Sequence, residues 1–130
     1  VTGWPIPKPA VRTAIAVLRA ALDPNTGVGT VLPRIWPRLF VRVSRSGGGQ
    51  ELIVTDTCRL LVECWADSAA SAETLVNECR AALRNTQGQT VNGAFLRGFD
   101  NEAGPVELPD PGVPDRQRWQ FQGDLLISTS

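Results

Sequence analysis

The stretch RQRWQFQGDLLISTS, residues 116–130, constrains the fold more than any other part of the chain. Trp119, Phe121, Leu125 and Ile127 fall on one side of an extended backbone, and Arg118, Gln120, Gln122 and Asp124 fall on the other. A period of two of this kind belongs to a β-strand with one packed face and one wet face. The chain must therefore build a sheet and cover one side of it.

The same period recurs in PRLFVRVSR, where Leu39, Val41 and Val43 oppose Phe40, Arg42 and Ser44. Three consecutive glycines, Gly47 to Gly49, then interrupt the run and predict a flexible hairpin tip. ELIVTDTCRLLVECWA predicts a short extended stretch followed by a firm strand from about Arg59 to Ala66, central in the sheet. TVNGAFLRGFDN predicts a further strand, loosened by Gly93 and Gly98. EAGPVELPDPGVPD, rich in proline, predicts an irregular connection.

Helical spacing appears twice. Pro5, Pro7 and Pro9 hold the amino-terminal segment extended and leave Pro9 where a first helical turn tolerates proline. From there Val11, Ala14, Ile15, Leu18 and Leu22 recur at steps of three and four until DPNTG stops the helix. Ser68 is placed to cap a second helix whose inner line is Ala72, Val76, Cys79 and Leu83, flanked by Leu75 and Ala82. The expected fold is α+β: a single mixed or antiparallel sheet of about four strands with two helices packed on one face, in the order α-β-β-α-β-β. One domain is expected over 1–130, with a proline-rich segment at 1–9 and an irregular loop at 102–115; a chain of 130 residues can bury a core of its own.

Chemistry is poorly provided for. There is no histidine, so the common cysteine and serine schemes lack their imidazole base. Lys8, the single lysine, sits among prolines. The three cysteines, Cys58, Cys64 and Cys79, match neither the C-x2-C spacing of zinc sites nor a C-x-x-C redox pair, and they read as small buried hydrophobes. An odd number of cysteines favours a reducing compartment. Asp56, Glu63, Asp67, Asp100, Glu102, Glu107, Asp110, Asp115 and Asp124 could supply an acid–base pair or a magnesium site, but most fall in loops. SRSGGGQ lacks the G-K-[ST] ending of a phosphate-binding loop. No cofactor or metal is expected, and no catalytic residue.

Thirteen basic residues balance thirteen acidic ones, which argues against a general nucleic-acid binder and weakly favours self-association. No apolar run is long enough for a membrane span, and the amino terminus lacks the order of a secretory signal, so a soluble protein is expected without a membrane partner. Arg34, Arg38, Arg42 and Arg45 form a mildly basic strip that suits phosphate or a carboxylate-bearing neighbour. Trp65 and Trp119 alternate with strand residues and read as core. Trp4 and Trp36 lie beside prolines outside the regular elements, where they either pack locally or anchor a partner.

PRLFVRVSRSGGG, then TDTCRLLVECWADSAASAETLVNECRAAL, then GPVELPDPGVPDRQRWQFQGDLLI resembles the tail terminator proteins of long-tailed bacteriophages, particularly the type common in phages of actinobacteria. The resemblance runs from about Leu32 to Ile127. It implies a compact mixed fold of one sheet and two helices that assembles as a hexameric ring. Such a ring caps the head-proximal end of the tail tube, ends its polymerisation and joins it to a head completion or stopper protein. The implied partners are further copies of the chain, the major tail tube protein, that head protein, and double-stranded DNA in transient, non-specific passage through the hole. The implied location is the head–tail junction of a virion assembled in the host cytoplasm. Candidate subunit or partner contacts are Trp4, Trp36, Arg38, Arg42, Asp110, Arg116 and Arg118. The amino terminus and DPNTGVGTVLPRIWP depart from the family pattern. The alternatives are another head-to-tail connector, such as a stopper, and a small enzyme with a carboxylate-bound metal.

Overall fold

The computed structural model describes residues 3–130, so the first two residues of the proline-rich segment 1–9 lie outside the described residues. Its elements are α1 (Ala10–Ala21), β1 (Gly27–Gly29), β2 (Leu39–Leu52), β3 (Thr55–Ala66), α2 (Ala69–Arg84), β4 (Thr90–Val91), β5 (Ala94–Glu107) and β6 (Gln117–Ser128). The strands form one six-stranded sheet in the order β1-β2-β3-β6-β5-β4, curled into a half-barrel. Neighbours are antiparallel except β1 and β2, which run parallel. This overturns the expected sheet of about four strands and its α-β-β-α-β-β order.

Two short strands make the difference. β1 is the GVG of a segment with no readable period, paired through Gly27, Val28 and Gly29 to Phe40, Val41 and Arg42. β4 exists because Asn92 and Gly93 both take positive φ, 53° and 77°. That is the backbone of a tight two-residue hairpin turn, for which Asn-Gly is the preferred pair, and it folds Thr90 and Val91 back onto Phe95 and Ala94.

The glycine run does not end β2. Gly47, Gly48 and Gly49 pair with Arg59, Cys58 and Thr57, and the hairpin turns at Ile53 and Val54 instead. Gly48 has φ of 90°, and a Cβ there would collide with the Thr57 carbonyl. Close approach of two backbones, and not a flexible tip, is what calls for glycine at this position. β3 consequently starts at Thr55, ahead of Arg59, and lies between β2 and β6 as its long apolar run predicts. β5 continues through Glu102 to Glu107, with register shifts that bend its later half.

Both helices cover the same face of the sheet. Val41, Val43, Leu60, Val62, Cys64, Phe121, Leu125 and Ile127 point into one cluster with Ala14, Leu18, Leu75, Val76, Cys79 and Leu83. Each of the larger side chains contributes about 1.5–3 kcal/mol on leaving water. α2 is held at its start by the Ser68 hydroxyl, which accepts from the Ser71 N–H at 3.1 Å. Among the described residues no helix is long and apolar enough to cross a membrane.

Candidate interaction surface

The opposite face of the sheet carries the candidate residues, because each strand residue that follows a core position points away from the helices. Strand register assembles them into rungs. Phe40 lies beside Trp65 and Trp65 beside Arg118; Arg42 lies beside Glu63 and Glu63 beside Gln120.

Glu63 is the centre of this surface, with only 5% of its side chain exposed. Arg42 donates to it through Nε at 2.8 Å and through a terminal nitrogen at 3.1 Å. Arg118 donates to the same carboxylate at 2.9 Å. The hydrogen bond to Glu63 holds the Arg42 guanidinium above its ordinary pKa, against the opposing effect of burial. A forked, nearly buried arrangement of this kind satisfies the carboxylate and both cations together.

Trp65 is packed between these groups and is fully buried. The guanidinium carbons of Arg42 and Arg118 lie 5.3 Å and 5.7 Å from its ring centre, a cation–π distance. Trp36 meets it edge-on at 5.8 Å and meets Phe40 at 5.6 Å. Trp65 is thus buried, as its alternation predicts, but beneath the 30–38 segment and apart from the cluster under the helices. Trp119 packs against the helix-side core. The indole N–H groups of Trp65 and Trp119 are both buried without a partner.

Two loops are tied down here. Arg116 donates to the carbonyls of Pro37 and Arg38, both at 2.9 Å, and stacks over Trp36 at 5.5 Å. Arg118 also donates to the Leu108 carbonyl at 2.8 Å and lies 3.7 Å from Asp110. Asp110 in turn accepts from the Gly112 N–H at 2.9 Å. Trp36, Arg42, Asp110, Arg116 and Arg118 therefore come together in one cluster.

Arg38 and Trp4 do not join it in the same way. Arg38 pairs with Asp67 at 3.5 Å with both side chains more than half exposed, a contact of little energetic weight. Trp4 is 57% exposed on the amino-terminal segment. The basic strip is divided among separate carboxylates, since Arg45 pairs with buried Asp56 at 3.4 Å. Arg42 and Arg118 are already paired with carboxylates of their own chain, which leaves them poor electrostatic partners for phosphate.

The surroundings of the cysteines suppress their reactivity. Cys58, Cys64 and Cys79 are free and buried, with the Cys64 and Cys79 sulfurs 3.8 Å apart. Burial pushes the Cys58 thiol up to about 11 and Cys64 well above its usual range, the reverse of what a nucleophile needs. Burial works to raise the Glu102 carboxyl, but hydrogen bonds from Arg84 and Arg80 prevail and hold it below its ordinary value. Among the described residues no group of three or more Cys, Asp or Glu side chains is arranged to hold a metal ion.

Sequence reasoning named the arginines and missed their organiser. Glu63 was one carboxylate among nine, and the signal that marks it is its place within a strand, at a position opposite to Val62 and Cys64. Exposed apolar side chains add to the surface: Val31 and Ile35, 74% and 90% exposed, precede Trp36 in the same loop, and Leu52, Ile53 and Val54 form the tip of the β2–β3 hairpin. That tip is fixed by Thr129, which donates through its N–H to the Val54 carbonyl and through its hydroxyl to the Ile53 carbonyl.

No family model matches the chain, and no curated protein matches its sequence. Among solved structures, a chain of one described as the virion of a native gene transfer agent (GTA) particle is similar in shape, with a TM-score of 0.66 and 13% identity. The match covers 93% of this chain and 99% of that one. At that identity the likeness concerns the fold.

Proposed function

We propose that this chain is a structural subunit of a phage-like virion that assembles as a ring at the head-proximal end of a tail tube, ends polymerisation of the tube and presents the surface that joins tail to head. The observation that carries the reading is the end-to-end match in shape to a virion chain. The family resemblance of the sequence supports it. The occupied arginines, buried thiols and balanced charge are in keeping with a subunit that works through shape.

The sheet edges favour assembly in a ring. β1 covers β2 only from Phe40 to Arg42, and β4 with the preceding Gly88 and Gln89 covers β5 only from Ala94 to Leu96, so among the described residues the remainder of each long outer strand has no strand partner on that side. β2 and β5 run in opposite directions, as the alternating pairings through β3 and β6 require. β2 of one copy can therefore meet β5 of the next with antiparallel sense, a head-to-tail contact that closes into a ring when its rotation closes. The register shifts within β5 keep any such ladder short.

The test is absolute mass by light scattering over a concentration series, then negative-stain imaging, with and without isolated tail tubes. The expected result is a holed particle of about six copies of the 14.0 kDa chain, formed alone or on tube ends, that stops tube growth. A monomer that leaves tube length unchanged would end the proposal. Arg38→Glu is the clean charge variant for this assay, because Arg38 is exposed; Arg42→Glu would place a second carboxylate beside buried Glu63 and report on folding.

A further inference from the structure

The amino-terminal segment and one cavity of this molecule are complementary to each other and are not joined within the chain. Residues Trp4 to Pro9 run without regular structure into α1, with Pro5, Pro7 and Pro9 at alternate positions. Ile6 is 90% exposed and Trp4 57%. A proline-restricted arm loses little conformational freedom on binding, yet here it leaves its two largest apolar side chains in water. Where it enters α1, Lys8 and Pro9 line an open cavity together with Ala10, Thr30 and Arg45.

A cavity of about 410 Å³ opens between the two loops that the arginine cluster pins, and its lining includes Leu32, Pro33, Trp36, Val113, Asp115 and Arg116. Its volume lies within the range of small-ligand sites, roughly 300–1,000 Å³, enough to admit a large side chain and its neighbours. Its aromatic wall is rigid, because Trp36 is held by Phe40, Trp65 and Arg116. Grooves walled by such aromatic rings are how proteins recognise extended proline-rich segments. At the rim, Asp115 is exposed and enters no ion pair among the described residues. The arm carries Lys8, half-buried and likewise in no ion pair among the described residues, and no acid.

We infer that the amino-terminal arm of one copy docks in the 32–36/113–115 cavity of a neighbouring copy, seating Trp4 or Ile6 against Trp36 and pairing Lys8 with Asp115. The match of proline-rich arm to aromatic groove, and of unpaired cation to unpaired carboxylate, selects a second copy of this chain as the occupant. The inference rests on the self-association proposed above and not on the place of the protein in a virion.

Full-length Ile6→Cys and Val113→Cys proteins, one carrying a size tag, are mixed and treated with a short bis-maleimide. All three native cysteines are buried, so unsubstituted protein supplies the background. The expected product is a covalent tagged–untagged pair, whose yield falls about tenfold when either Lys8→Glu or Asp115→Lys is made alone and recovers when the two are combined, and falls likewise when Trp36→Ala removes the anchor. A doubly substituted chain that links only within itself assigns the groove to its own arm and overturns the inference. Light scattering on the same samples, run with and without tail tubes, separates the remaining outcomes: oligomers without the cross-chain product overturn the arm contact and leave the ring, whereas a monomer that gives no product and leaves tube length unchanged overturns both.

Discussion

Glu63→Gln is the substitution that tests the central arrangement of this surface. It keeps the shape of the side chain but removes the charge shared by Arg42 and Arg118 and replaces one acceptor oxygen with a donor. Arg118 is 14% exposed and Arg42 29%, so the former is left with little water and the latter with some. Breaking a buried ion pair by removing one partner costs about 3–5 kcal/mol. Partial access of Arg42 to solvent, and the contact of Arg118 with Asp110 and the Leu108 carbonyl, place the expected loss at the low end, about 3 kcal/mol. For a chain of this size that is a fall in Tm of roughly 10 °C and a substantial part of a total stability of about 5–15 kcal/mol. Urea unfolding followed by tryptophan fluorescence is the assay, since the indoles of Trp36 and Trp65 report directly on the cluster. It must be run at fixed protomer concentration, because assembly adds to apparent stability. The m-value should stay constant while the midpoint falls. A loss below about 1 kcal/mol, the range of exposed pairs, would refute the reasoning: Glu63 would then be an ordinary surface carboxylate.

The Glu102 carboxylate, held below its ordinary pKa by Arg84 and Arg80, stabilises the fold above its unfolded value near 4.5, and this contribution is lost as pH falls through the lower folded value. Arg84→Ala should therefore move the acid unfolding midpoint upward, and an unchanged midpoint would show that the pairing has no energetic weight. Cys58 runs the opposite way: its raised folded pKa stabilises the protein fully below about 9, and stability declines as pH rises from there towards about 11. Native protein should accordingly resist iodoacetamide at pH 8 while urea-unfolded protein is labelled at all three cysteines, and rapid labelling of the native form would contradict the burial.

Local order was legible because it depends on neighbours in sequence. The alternation at Trp119, Phe121, Leu125 and Ile127, the three-and-four spacing of Ala14, Ile15 and Leu18, and the cap at Ser68 each follow from which face of one element must leave water. Long-range pairing was not legible. β1 is three residues long and β4 two, too short to carry a period, and they exist because a neighbouring strand offers them backbone partners. Gly47 to Gly49 look like a break until Thr57 and Arg59 are brought alongside, when Gly48 becomes the residue that lets two backbones approach.

The candidate surface divides along the same line. The sequence by itself determined that a half-buried sheet would form, that two helices would accompany it, and that arginines, tryptophans and no imidazole would be available for function. It could not determine that Arg42 and Arg118 would share Glu63, that Arg116 would reach back to Pro37 and Arg38, or that Trp65 would be buried on the face away from the helices. Those outcomes depend on strand register and loop closure across distant parts of the chain. An arginine's identity fixes its charge, whereas the partner that uses the charge is fixed only when the backbone brings one within about 3 Å.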